Sequence, residues 1–305
     1  MTRKKAPFAG LAAATVRSVA AIPGAAGGVY AGTVDECLWR KESAASDWVS
    51  LAANVECGTS VGQIVVDWFN PDHVLLTTGA RLERSVDGGQ TFETALAGLS
   101  PFRVKMSRLV PEAPVYAACG WNEIHRSDDG GATWSGPYGG GAFVYIQDMD
   151  ACDAVPEVVY AAVNSAGKLY RSDNSGESWL TLGAAFTGIA VDVAVHPTDP
   201  LHVVAHYKDE GLFVSLDGGE SWAPSIPGVI SSAIREVRFL DWSGGRVGVA
   251  SEMGFYVSED GGLSFSLADE GMGPLFLHSV ASDPDTERVL VGGLASGVHE
   301  TNWED

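Results

Sequence analysis

The sequence predicts an all-β chain folded as one seven-bladed β-propeller of four-stranded blades over residues 1–305. Three observations carry that expectation. One motif recurs at a nearly constant interval, each interval holds four short apolar runs, and Gly, Pro and Asp punctuate those runs where turns are needed.

Five segments share the order Ser, any, Asp, any, Gly, any, Thr or Ser, aromatic. They are RSVDGGQTF from Arg84, RSDDGGATW from Arg126, RSDNSGESW from Arg171, VSLDGGESW from Val214 and VSEDGGLSF from Val257. The third carries Asn174 where the others carry Asp. Two eroded copies complete the series. LWRKESAASDW from Leu38 keeps Arg40 and Trp48 but has Ala45 at the turn-glycine position, and GVHETNWED from Gly297 aligns on GLFVSLDGG from Gly211. At the Ser position the copies fall on Lys41, Ser85, Ser127, Ser172, Ser215, Ser258 and Thr301, at intervals of 44, 42, 45, 43, 43 and 43 residues.

Blade five shows the strand pattern most plainly: Ile189 to His196, Leu201 to His206, Gly211 to Ser215, then Trp222 onward. His196-Pro197 and Asp199-Pro200 bound its second run, where proline fits a turn and not a central strand. The first innermost strand is expected near Thr15 to Ile22. Because the last repeat stops before a fourth strand, residues 7–11 are expected to supply the outer strand of blade seven, behind a basic arm at 1–6. That closure would remove two exposed sheet edges.

The recurring motif has a turn chemistry of its own. Gly89, Gly131, Gly176, Gly219 and Gly262 supply positive φ at low steric cost. Asp87, Asp129, Asn174, Asp217 and Asp260 accept hydrogen bonds from nearby amides, and Ser85, Ser127, Ser172, Ser215 and Ser258 add local bonds. Phe92, Trp134, Trp179, Trp222 and Phe265 then bury apolar surface between blades.

These repeats resemble the Asp-box, or bacterial neuraminidase, repeats of sialidases, sortilin-type receptors, xyloglucan-degrading enzymes and photosystem II assembly factors. The resemblance covers essentially the whole chain. It implies the propeller fold and places the boxes away from the functional face, but it says little about activity, because one box serves unrelated functions. A calcium role is set aside on ligand count: each box offers one or two carboxylates, and calcium takes six to eight oxygens. No metal and no cofactor is expected.

With 39 acidic against 19 basic residues, the formal charge is −20. Such a field repels nucleic-acid phosphates, so nucleic acid is excluded as an expected partner. Arg3, Lys4 and Lys5 form the one basic cluster, read as a solvated arm or docking tail. No apolar run reaches transmembrane length, and Arg17 interrupts the Ala-rich N-terminal stretch, which is read as mature protein and not as a signal peptide. Cys37, Cys57, Cys119 and Cys152 lack metal-ligand spacing. Buried reduced thiols are expected, with a Cys37–Cys57 bridge as the alternative.

Function is expected at the loops opposite the boxes. Trp121, Asn122 and Glu123 form the most ligand-like loop, with Arg81, Tyr207 and Lys208 on neighbouring loops. Arg17, Asp192, Arg235 and Glu236 lie on innermost strands, facing the channel or, for Arg235 and Glu236, pairing with each other. Arg17, Arg103 and Arg235 are the arginines that would have to converge in a sialidase, yet no Arg-Ile-Pro signature opens the first blade. No catalytic constellation stands out. The reading is therefore a non-catalytic platform for protein partners in a larger assembly, including a phage or virus particle, with a glycan-binding or glycoside-hydrolysing propeller as the alternative.

Overall fold

In the computed structural model the structure describes residues 11, 14–55, 60–120, 122–139, 143, 145–164, 168–182, 186–225, 233–268, 276–294 and 296–302. Every regular element among them is a β-strand, and no helix is long and apolar enough to cross a membrane.

The strands form seven antiparallel meanders. Six have four strands, and the last has three among the described residues. The first strands are Val16–Ala21, Val61–Val66, Pro101–Lys105, Ile146–Ala151, Ala190–Val195, Ile234–Phe239 and Leu277–Asp283. Each packs on the first strand of the next blade, and Leu277–Asp283 returns to Val16–Ala21, so the ring closes. The protein is a seven-bladed β-propeller with its first strands around the axis.

Burial follows strand position. Second strands such as Val115–Cys119 and Val203–Tyr207 are buried at all five residues, being covered on both faces by neighbouring blades. Fourth strands such as Leu180–Leu182 lie largely exposed at the rim. The hydrophobic core is divided into seven clusters, and each joins two adjacent blades. Val195, Val203 and Tyr207 of blade five, for example, meet Cys152, Tyr160 and Leu169 of blade four. No blade is a unit by itself.

The turns between third and fourth strands repeat one bonding scheme. Ser85 Oγ donates to Asp87 Oδ1 at 2.8 Å and accepts from Gly89 N at 2.8 Å. Asp87 in turn accepts from Thr91 N at 2.9 Å and Thr91 Oγ1 at 2.6 Å. The same scheme recurs at Ser127/Asp129, Ser215/Asp217 and Ser258/Asp260, and at Ser172/Asn174 with the last bond reversed, Asn174 Nδ2 donating to Ser178 Oγ at 2.9 Å. These bonds stabilise the ionised carboxylate, led by those from Thr91, and hold Asp87 down at about 2. Gly219 shows why the glycine is needed. Its φ is 94°, and an added Cβ would lie 2.6 Å from Leu182 of the preceding blade. Trp134, Trp179 and Trp222 each donate Nε1–H to the carbonyl of their own turn glycine.

Leu11 is fully buried among Val16, Leu290 and Val298, at the seam of blades seven and one. The basic arm and the rest of the expected closing strand lie outside the described residues. Cys119 and Cys152 are buried free thiols, but Cys37 is disulfide-bonded, which corrects the expectation of a reduced thiol there. Cys57 lies outside the described residues.

Candidate functional site

Each first strand carries one extra residue opposite its second strand. The shifts in register fall at Arg17, Gly62, Phe102, Gln147, Val191, Arg235 and His278, one per blade. A bulge re-aims its side chain. Here the residue before each bulge is buried while the bulge residue is exposed or half-buried, so six side chains of five kinds, with Gly62 as the seventh position, ring the channel mouth opposite the Ser-x-Asp turns.

In six of the seven first strands the next residue inward ties one blade to another. Ser18 Oγ accepts from Ile64 N at 2.9 Å and Gln63 Oε1 from Val104 N at 2.7 Å. Arg103 Nε donates to Asp148 Oδ1 at 2.5 Å, Asp148 Oδ2 accepts from Val193 N at 3.2 Å, and Asp192 Oδ2 accepts from Val237 N at 3.0 Å. Glu236 Oε2 accepts from Val280 N at 2.8 Å. Arg238 lies 3.5 Å from Asp148, 3.6 Å from Asp192 and 3.0 Å from Glu236. Three carboxyls thus share two guanidiniums, a balance that neutralises when one carboxyl keeps its proton. Burial would raise Asp148, but Arg103 and Arg238 reverse that and hold it well below the usual carboxylate range. Burial and the charge of Asp148 push Asp192 well above it, so of the two carboxyls Asp192 binds a proton more tightly. Further along the channel, Lys105 bridges Asp150 at 3.0 Å and Asp153 at 3.1 Å, and Arg108 pairs with Asp153 at 2.8 Å.

The end carrying the Ser-x-Asp turns is closed. Trp68 of blade two meets Trp242 of blade six edge-to-face at 5.7 Å between ring centroids. Both indoles donate to Asp285 of blade seven, at 3.3 and 3.0 Å, and the Arg108 guanidinium of blade three lies 4.9 Å from the Trp242 ring. Blades two and six stand across the ring from each other, so these contacts span the axis. Above this latch lies a cavity of about 180 Å3 to which all seven blades contribute, including Arg17, Arg103, Arg108, Arg235, Glu236 and His278. Burial, then Arg235 and Arg17, lower the proton affinity of His278, which stays neutral at pH 7.

A second, shallower groove of about 740 Å3 crosses the open end over blades two and three. Thr77, Thr78, Ser100, Phe102, Asn122 and Glu123 line it, and Arg17 borders both spaces. Asn122, Glu123, Arg17 and Arg235 thereby sit on one end of the ring, and Arg17, Arg103 and Arg235 all line the axial cavity. Trp121 lies outside the described residues. Arg81 is engaged locally by Glu83 at 3.5 Å, and Lys208 stands exposed at a turn that lines neither space.

Three expectations are corrected by the structure. Tyr207 is 1% exposed and stacks on Phe186 with ring centroids 3.9 Å apart, so it is core and not a loop contact. Arg235 and Glu236 do not pair. Consecutive strand residues point apart, and Arg235 bonds Glu252 while Glu236 bonds Arg238. Asp192 is buried against the next blade and does not face the cavity. His196 and His202 stack on each other and bond the carbonyls of Ser243 and Gly261, which is structural work. The sequence reading missed the latch, which no local signal marks.

No family profile matches the chain. A xyloglucanase of Paenibacillus sp is 24% identical over 230 residues, covering 68% of this chain and 22% of that enzyme. Among solved structures, the GH74 enzyme of Niastella koreensis superposes with a TM-score of 0.71 at 20% identity, covering 95% of this chain and 43% of the enzyme. YCF48 bound to D1 peptide gives 0.74 at 12% identity, covering 96% and 95% of the two chains. YCF48 from Cyanidioschyzon merolae gives 0.72 at 14%, covering 98% and 97%. At these identities the solved structures establish the fold. The chain spans about a fifth of the curated xyloglucanase and under half of the GH74 enzyme.

Proposed function

We propose that this chain is a non-catalytic protein-interaction platform that presents the open end of its ring to a partner. The observation that carries the reading is the commitment of its channel carboxylates. Asp150 holds Lys105 and Val195 N, and Glu236 holds Arg238 and Val280 N, so the two acids that line the cavity are engaged in joining blades. A glycosidase needs one carboxyl free to donate a proton and one free to attack or activate water. YCF48, matched over nearly the whole of both chains, is a propeller solved with a bound peptide, which supports a protein partner. No feature of the fold or of the relatives supports the particle-component variant, and it is left out of this reading.

A second reading has its own observation. The groove over blades two and three offers hydroxyls and amides beside one aromatic ring, a lining suited to sugar rings. The xyloglucanase relative supports it.

The deciding experiment is gentle sizing of the native protein from its source, with immunodetection. A species well above 32.0 kDa supports the platform. A free monomer that binds xyloglucan oligosaccharides in titration calorimetry would replace it with the second reading.

A further inference from the structure

We propose that the mouth over blades six, seven and one docks an extended partner segment carrying one or two carboxylate side chains next to a large apolar residue. This rests on the platform reading and names the partner's chemistry.

Two of the seven bulge residues are cationic, Arg235 of blade six and Arg17 of blade one, and they flank the neutral His278 of blade seven. The other four are Gly62, Phe102, Gln147 and Val191, so the basic character is confined to one arc. Arg17 is exposed and has no carboxylate at ion-pair distance among the described residues, which is notable in a chain of net charge −20. Both arginines depress the proton affinity of His278, which places the three groups in one field.

Apolar exposure is concentrated beside that arc. Among the described residues, the large apolar side chains exposed in loops at the open end are Tyr145, Met253, Phe276 and Leu294, and the last three belong to blades six and seven. Met253 is 54% exposed, Phe276 50% and Leu294 47%. Leu294 N donates to Phe276 O at 2.8 Å, which fixes those two loops together. Exposed apolar residues next to the unpaired Arg17, with Arg235 bonded to Glu252 close by, are the two halves of a recognition site for an acidic–apolar segment.

The closed end sets the direction of entry. With Trp68, Trp242 and Asp285 meeting across the axis at the other end, a partner segment enters from the open mouth. Its volume of about 180 Å3 gives room for a side chain and not for a folded element. A long acidic run would be repelled by the chain's overall field, whereas one or two carboxylates inside a Debye length feel chiefly the local arginines. That limits the acidic content of the segment.

The test is selection from a random twelve-residue peptide display library on the immobilised full chain. Enriched peptides are expected to pair Asp or Glu with Phe, Leu or Met within about four residues. A fluorescein-labelled enriched peptide should lose at least tenfold in affinity on the Arg17→Glu/Arg235→Glu variant, and a comparable amount on Met253→Ser/Phe276→Ser, with melting temperatures unchanged. No enrichment, enrichment without an acidic residue, or indifference to charge reversal each overturns the proposal. A native complex that survives Arg17→Glu/Arg235→Glu would sink this inference and leave the platform reading standing, whereas a free native monomer removes both.

Discussion

The two ends of the ring are built from the same repeats by opposite rules. At the closed end, five turns carry one bonding scheme, and positions Ser85, Ser127, Ser172, Ser215 and Ser258 are interchangeable in role. At the open end, seven equivalent bulges carry Arg, Gly, Phe, Gln, Val, Arg and His. Uniformity marks what the fold requires of every blade. Divergence at positions of identical geometry marks where side chains are released from that requirement. Between the ends lies a ring of Ser18, Gln63, Arg103, Asp148, Asp192 and Glu236, buried or half-buried, which differs in sequence yet joins neighbouring blades. It belongs with the scaffold.

That assignment can be broken most directly at Asp148. Replacement by Asn leaves Arg103 and Arg238 short of a buried counter-charge, and removing one partner from such a pair costs about 3–5 kcal/mol. Asp192→Asn should cost clearly less than Asp148→Asn, since an amide resembles a protonated carboxyl and burial beside the charge of Asp148 raises the proton affinity of Asp192. Equal losses in chemical denaturation would refute the shared-proton account. The pair also sets a pH slope. The Asp192 carboxyl binds its proton more tightly folded than unfolded, so its contribution is complete below its ordinary value of 3.8 and declines as pH rises, by up to about 1.4 kcal/mol per pH unit until the folded-state value is reached. Asp192→Asn should remove that decline, and a wild-type-like slope in the variant would show the proton to be elsewhere.

The second effect in size concerns ring closure. Leu11 is buried without residue at the seam of blades seven and one, where Leu→Ala changes cost about 2–5 kcal/mol. Leu11→Ala should lower the single melting transition of the whole ring, and deletion of residues 1–11 should lower it further if residues 7–11 form the closing strand. A deletion variant melting with Leu11→Ala would confine the role of this segment to Leu11.

The turns give a smaller, acid-side effect. Asp87, Asp129 and Asp217 are held at about 2 by hydrogen bonds, led in each case by the Thr91, Thr133 or Ser221 hydroxyl. Their stabilisation is therefore complete above the ordinary 3.8 and is lost as pH falls through 2. Asp87→Asn/Asp129→Asn/Asp217→Asn should melt lower at pH 6 and show a flatter loss between pH 4 and 2. An unchanged acid slope would mean that other carboxylates govern acid unfolding.

How much was legible in the sequence follows from the same contrast. Spacing alone placed the blades, and Gly211–Ser215 was bounded correctly because a turn glycine and a motif serine mark its ends. Tyr207 was misplaced because the charged Lys208, Asp209 and Glu210 follow it directly, although it ends a fully buried central strand. The bulges were invisible because one extra residue leaves the repeat interval within its ordinary scatter while reversing which side chains face the channel. The Trp68–Asp285 bond joins residues 217 apart, so nothing local announces it.

The smallest expected effect is the one that separates the ends most sharply. Arg17 and Arg235 sit at bulges, exposed, and neither accounts for a bond between blades. Their joint replacement by Ser should change stability by no more than about 0.5 kcal/mol, the usual range for surface positions. Glu252 loses its partner in that variant but stays solvent-accessible, so no buried charge is stranded. A larger loss in urea titration would place these arginines in the scaffold and merge the two ends into one design. An unchanged midpoint would leave two conspicuous cations at the mouth with no part in holding the ring together, which is the pattern expected of residues kept for contact with something outside it.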